Sequence, residues 1–376
     1  MCADSTETTK KSLLDVLEAS DVDRALEICA RMVSQGVDPR EIHFSLFPVV
    51  QRVQNPPFIN PHLPKMYAIC RELMPYLSEA KTRVFLSLEI REYARRPKME
   101  KIPRVNLLSS RIGFKDIETA IRANDPEKTA ALMAIFLNQG SGAELARRLL
   151  LLGSGYLNTS LGHSVSCTGF ILLEMLERTE MDPWPALSAL ALYFCKGKFS
   201  ATPDLKISNP FMEKQASNRQ MLQATSGTGF VPLHHTITRY AIERARRFLS
   251  QEDYVHMVNS WLDFLGDKGE EKVSPTEAAS EPVKEYDSFY KTFSTLKTKP
   301  VVASLSPMAG SQEGRNKMKR FLIQGVCDKY QGAYDPHYLT GLGSALWMLD
   351  QYGQDAPLVT NSLAQYLDFF FSGIRS

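Results

Sequence analysis

The sequence lacks most of the motifs that usually identify an enzyme. No two of its six cysteines form a C-x-x-C pair, so a zinc ribbon, a thioredoxin-like site and a covalently attached haem are not expected. It contains no P-loop, no G-x-S-x-G elbow, and no H-E-x-x-H or paired E-x-x-H motif. Gly227-Thr228-Gly229 is too short for a dinucleotide fingerprint. We therefore predict no nucleotide cofactor.

The sequence also lacks an excess of one charge and a long apolar run. Among its 376 residues, 44 Lys and Arg stand against 42 Asp and Glu, for a net charge of +2, so no nucleic-acid partner is expected. No apolar stretch reaches the roughly 18 residues that cross a membrane, and the polar first residues have no signal-peptide core. Single cysteines that suggest no disulfide framework favour a reducing compartment. We expect a cytoplasmic protein without a membrane partner.

Alternation typical of strands is nearly absent, and apolar residues recur at steps of three and four. This period is typical of amphipathic helices and predicts an all-α fold, in one large domain of many helices. The segment Gly266–Glu285 is rich in Asp, Lys, Glu, Ser and Pro and has few apolar residues. We expect it to form an exposed loop, because so little apolar surface cannot offset the entropy of ordering it.

Internal similarity predicts that the fold contains repeats. Asp21 and Asp125, which are 104 residues apart, each stand where an N-capping residue would open the second helix of a hairpin. We therefore predict one continuous globular unit built from two pseudo-repeated halves. These halves are residues 1–200, with repeats at about 12–98 and 115–198, and residues 201–376.

Four histidines recur with this pattern, and each is followed six positions later by Ala or Gly. They are His62, His163, His235 and His337. The first two are 101 residues apart and the last two 102, so each half would contain two helices headed by a histidine. Neutral imidazole is the commonest protein ligand for iron, zinc, copper and nickel. We predict that the four side chains hold one metal ion; His234, beside His235, is an alternative ligand.

The other two histidines fit structural roles better. His43 lies in an early helical segment, where we expect it to pack in the core. His256 follows the third histidine helix and is also interpreted as structural. A histidine at a helix start can simply cap the helix, so it is the recurrence of the four, rather than any one of them, that indicates a site.

The third histidine lies in a segment that resembles a known family. Leu233-His234-His235-Thr236-Ile237-Thr238-Arg239-Tyr240-Ala241 is similar to the histidine helices of questin oxidase-like proteins. In that alignment the first family histidine falls on His235, the small residue on Ala241 and the second histidine on Arg239. The resemblance implies an all-helical oxidoreductase that uses dioxygen on a polycyclic aromatic substrate.

Three functions remain open at this point. The first is a metal-dependent oxygenase with non-haem iron, with an apolar or aromatic small molecule and dioxygen as reactants, and with an anionic ligand that the sequence does not identify. The second is a non-enzymatic α-helical repeat protein that binds a protein partner. The third is a haem protein that uses two of the histidines axially, which has no attachment motif to support it. We favour the first and predict no haem.

Overall fold

The computed structural model describes residues 2–105, 111–203, 213–266, 283–330 and 335–375. These residues form twenty α-helices and three short 3-10 helices, and their only β-structure is two isolated bridges. The predicted all-α fold is confirmed. In chain order the helices are α1 (Cys2–Glu18), α2 (Val22–Ser34), α3 (Pro39–Ser45), α4 (Phe47–Val50), α5 (His62–Leu73), α6 (Glu79–Arg95), α7 (Phe114–Arg122), α8 (Pro126–Gln139), α9 (Gly142–Ser154), α10 (Leu157–Ser160), α11 (His163–Glu177), α12 (Trp184–Gly197), α13 (Glu213–Ser226), α14 (Phe230–Ala245), α15 (Gln251–Leu265), α16 (Tyr286–Phe293), α17 (Thr298–Leu305), α18 (Gln312–Lys329), α19 (Pro336–Tyr352) and α20 (Ala356–Arg375).

Two further sequence expectations concern an exposed loop and membrane spans. Most of the expected exposed loop Gly266–Glu285 falls on residues 267–282, which lie outside the described residues. Over the part of the chain that the structure describes, no helix combines the length and the apolar character that a membrane span requires.

The chain folds as two compact units that alternate along the sequence. Unit 1 comprises Met1–Arg71, Thr82–Ile207 and Ala241–Ser260, and unit 2 comprises Glu72–Lys81, Ser208–Tyr240 and Trp261–Ser376. In unit 1, α8 packs on α12 and α9 packs on α11, whereas in unit 2 α20 packs on α13, α17 and α19. That residues 1–200 and 201–376 form two similar structures stays a prediction.

The hairpin that the sequence repeats is present twice in unit 1. Asp21 and Asp125 cap α2 and α8, and each accepts a hydrogen bond from the backbone N–H three residues later, at 3.0 and 2.9 Å. The preceding Ser20 and Asn124 both adopt the left-handed conformation, with φ of 61° and 54°. A polar residue tolerates this conformation better than a β-branched one, so the same short connection turns the chain both times.

Candidate functional site

Two buried histidines of unit 1 face each other through their ring nitrogens. His62 begins α5 and His163 begins α11. Their Nε2 atoms are 2.7 Å apart, the rings are perpendicular, and each residue is only 2% exposed. The sequence predicted both as metal ligands, and the structure brings these two together.

Close backbone packing places His163. α11 begins after Gly162, whose φ of 75° is in the left-handed region that favours glycine. The His163 Nδ1–H donates to the carbonyl oxygen of Ser160 at 2.7 Å. At the next residue, α9 approaches so closely at Gly153 that a Cβ atom there would lie 2.5 Å from the Ser164 carbonyl oxygen. The hydrogen bond at the helix start therefore orients the ring, and α9 packs tightly against the first turn of α11.

A second pair of buried histidines lies in unit 2, and one of its members differs from the predicted set. The Nε2 atoms of His234 and His337 are 3.1 Å apart. The ring of His235 packs edge-on against Phe264 instead, with centroids 4.8 Å apart, and its carbonyl oxygen accepts a hydrogen bond from Trp261. Successive residues of a helix point about 100° apart, so only one of two adjacent histidines can face a given partner. Within unit 2 that histidine is His234.

The position of the histidines in their helices also differs from the expectation in one case. His62 and His163 are the first residues of their helices and His337 is the second of α19, as predicted. α14 begins earlier, at Phe230, so His234 and His235 lie more than one turn inside it. The helix starts there because Gly229, with φ of 94°, ends the preceding connection.

The unit 2 pair has an unusual proton arrangement. The Nδ1 of His234 lies 2.7 Å from the carbonyl oxygen of Phe230, and the Nδ1 of His337 lies 2.6 Å from the Asp335 carboxylate. Both oxygens accept hydrogen bonds, so both Nδ1 atoms carry the proton. A neutral imidazole has only one N–H, which leaves a lone pair on each Nε2. Two lone pairs 3.1 Å apart repel each other unless a cation or an additional proton lies between them.

In the unit 1 pair, the same argument applies to one ring, that of His163. Because the Nδ1–H of His163 donates to a carbonyl, its Nε2 carries a lone pair and can only accept. The Nε2 of His62 then either donates a proton to it or shares a metal ion with it. Three of the four facing nitrogens are thus held as acceptors, which is the form that binds metals.

The separation of the facing nitrogens suits ligands on one ion. With metal–nitrogen bonds of about 2.05 Å, separations of 2.7 and 3.1 Å correspond to angles at the metal of roughly 80–100°, near those of octahedral and tetrahedral coordination. His62 and His163 in unit 1 and His337 in unit 2 are buried histidines that could serve as metal ligands. The hydrogen bonds to Nδ1 fix the tautomers, as outer groups do in known metal sites.

An exposed phenylalanine lies against each pair. Phe58 is 57% exposed and meets His62 edge-on, with ring centroids 6.0 Å apart. Phe230 is 41% exposed, and its ring centroid is 4.3 Å from that of His234 and 4.9 Å from that of His337. Each pair is therefore in contact with one exposed aromatic ring of its own unit.

The remaining histidines have partners of other kinds. The Nδ1 of His43 donates to the Glu89 carboxylate at 2.9 Å, and its ring stacks on Tyr67 with centroids 4.2 Å apart. Glu89 also accepts the hydroxyl proton of Tyr93. The Nε2 of His256 lies 3.0 Å from the Ser154 hydroxyl. Both histidines are fully buried, so each is held in its unit by a local hydrogen bond.

Three residues at these pairs were not singled out from the sequence. Asp335 stands in Asp-Pro-His, where an N-capping residue followed by proline announces a helix start, so its position beside His337 was open to prediction. Phe58 and Phe230 gave no such signal, because an aromatic side chain near a histidine is as typical of a core as of a site.

Comparison with known proteins adds no relative: no family model matches the chain, and neither a curated protein nor a solved structure does.

Proposed function

We propose that this protein binds a transition-metal ion through its buried histidine pairs and acts as an oxidoreductase on apolar or aromatic small molecules. The observation that carries the proposal is the His234–His337 contact, in which two acceptor nitrogens face each other at 3.1 Å. Such a contact is repulsive when both imidazole rings are neutral, and a bound cation would make it favourable. Burial adds to the effect, because charges interact more strongly away from water.

The two pairs provide four imidazole nitrogens. Water or an anionic ligand would complete the shell of an ion that takes four to six ligands, and one ion shared by all four histidines stays a prediction from the sequence. Iron is the metal that we favour for dioxygen chemistry, and imidazole also suits zinc, copper and nickel. A bound transition ion would supply Lewis-acid and redox chemistry.

The residues of this chain have distinct tasks in the proposal. His62 and His163 provide metal ligands in unit 1, and His234 and His337 provide them in unit 2. Asp335 and the backbone carbonyls keep the Nδ1 protons in place, so that the Nε2 atoms face the metal. The rings of Phe58 and Phe230 cover the pairs with apolar surface.

Dioxygen uptake tests this function. Protein purified anaerobically and loaded with Fe²⁺ should consume dioxygen faster when hydroxylated naphthalenes or anthraquinones are added. His234→Ala should abolish the added uptake. His235→Ala is the matched control, since it removes an adjacent buried histidine whose ring contacts Phe264, and it should retain most of the uptake.

Two outcomes would contradict the proposal. Equal uptake by wild type and His234→Ala would show that the histidine pair takes no part in the reaction. A preparation with no metal and no uptake, but with a stable folded chain, would instead favour the non-enzymatic helical protein. An intense Soret band would favour the haem hypothesis.

A further inference from the structure

A cavity of about 190 Å³ lies in unit 1, and one of its lining residues, Phe58, contacts the ring of His62. Residues 51–61 form one side of this cavity and lead directly into His62, whose backbone N–H donates to the carbonyl oxygen of Asn60 at 2.8 Å. The other side is one face of α12, formed by Ala189, Leu192, Tyr193 and Lys196. Positions three and four residues apart on a helix lie on the same face, so this wall is continuous.

Tyr193 is a buried residue of the cavity lining with a polar group. The residue is 2% exposed, and its hydroxyl makes no hydrogen bond with the part of the chain that the structure describes. Leaving a buried hydroxyl without a partner is unfavourable, and such groups in native proteins usually have a ligand or water as partner. Burial, and secondarily the nearby Cys167, raises the pKa of Tyr193 well above its ordinary value of 10, so the hydroxyl stays a donor at neutral pH.

Lys196 is the cation of the cavity that has no carboxylate partner. It lies one turn beyond Tyr193, is exposed, and makes no ion pair with the described residues. Arg52 also lines the cavity, but its guanidinium is bound by Glu18 at 2.5 Å and by the carbonyl oxygen of Met99. One face of α12 therefore lines the cavity with a buried tyrosine and with a cation that makes no ion pair with the described residues.

We propose that this cavity binds a small aromatic carboxylate, with its ring among the apolar side chains and its carboxylate between the Tyr193 hydroxyl and the Lys196 ammonium group. A cavity of about 150 Å³ is enough for benzene, so the present one takes one or two fused rings. Phe58 and Ile59, which are 57% and 48% exposed, provide apolar surface at its edge. A role of this ligand as the substrate rests on the proposed function. Its binding in the cavity is independent of that function.

Binding of 2-naphthoate to the metal-free protein tests the proposal, with 2-naphthylmethanol as the neutral analogue. Isothermal titration should give one site per chain and a preference for the acid. Tyr193→Phe should weaken 2-naphthoate binding about tenfold, as expected for a hydrogen bond to a charged group. Lys196→Met should remove the preference for the acid and leave the binding of the alcohol unchanged. Tyr366→Phe is the matched control, because that tyrosine is also buried with no hydrogen-bond partner among the described residues, yet does not line the cavity.

The result that would overturn the proposal is the absence of saturable binding, or equal binding by wild type, Tyr193→Phe and Lys196→Met. Because the titration uses metal-free protein, this failure is distinct from failure of the metal site. Metal content of Tyr193→Phe should equal that of wild type, whereas loss of metal in this variant would mean that the substitution acts through the fold.

Discussion

The substitution Asp335→Asn tests metal binding separately from folding stability. Asp335 accepts two hydrogen bonds, one from the backbone N–H of His337 at 2.9 Å, which caps α19, and one from its Nδ1–H at 2.6 Å. Asn caps helices about as well as Asp, so the first contact survives the change. The second contact, to the His337 Nδ1–H, would then have an uncharged acceptor. An uncharged partner makes His337 a poorer donor of electrons to a metal. Asp335→Asn should therefore weaken metal binding about 10- to 100-fold, or about 1.4–2.7 kcal/mol, while the metal-free protein keeps its stability.

Competition with a chelating dye measures the metal affinity, and thermal unfolding of the metal-free protein measures the stability. Asp335→Ala provides the contrast, because it removes the cap as well and should cost about 1 kcal/mol of unfolding free energy in the absence of metal. Unchanged metal affinity in Asp335→Asn would refute the role given to this carboxylate. So would a loss of metal that is fully explained by unfolding.

Three further predictions concern packing, burial and pH. Gly153→Ala should destabilise the protein by about 1–3 kcal/mol in chemical denaturation, because its Cβ would meet the Ser164 carbonyl oxygen at 2.5 Å, whereas Gly169→Ala, whose nearest contact would be 3.5 Å, should be neutral or stabilising. Glu89→Ala should lower the free energy of unfolding by about 1–3 kcal/mol, since it removes the carboxylate that accepts hydrogen bonds from the buried His43 Nδ1–H and the Tyr93 hydroxyl; an unchanged midpoint of chemical denaturation would contradict this. Metal affinity in equilibrium dialysis should fall as the pH falls through about 6.5, where protons begin to compete for imidazole nitrogens, and an affinity that is flat or rises on acidification would argue against histidine ligands.

Local patterns of the sequence predicted most of the helical structure. The three- and four-residue period gave the all-α class, and the capping Asp21 and Asp125 marked where α2 and α8 begin. These features depend on neighbours in the chain, which a single sequence records. The recurrence of histidines at similar distances likewise pointed to His62, His163 and His337, and the structure gives each of these a histidine facing its Nε2 within the same unit.

The choice between His234 and His235 could not be made in this way. Both residues fit a helix, and which one faces His337 depends on the rotation of α14 about its axis. That rotation is fixed by contacts distant in the chain: a Cβ atom at Gly341 would lie 3.2 Å from the Leu233 side chain, and the Thr236 hydroxyl donates to Gln365 at 3.0 Å. The same reason hid the cavity beside Tyr193, since residues 51–61 and α12 are far apart in the sequence.

The metal content of the purified chain tests the central claim most directly. Protein prepared anaerobically and analysed by inductively coupled plasma mass spectrometry should carry a transition metal, at one ion per chain if both histidine pairs share it and at two if each pair holds its own. His163→Ala and His337→Ala should lose metal while keeping the helical circular dichroism spectrum, and His235→Ala should keep both. A folded wild-type protein that carries no metal and takes up none from Fe²⁺, Zn²⁺, Cu²⁺ or Ni²⁺ would contradict the proposed site.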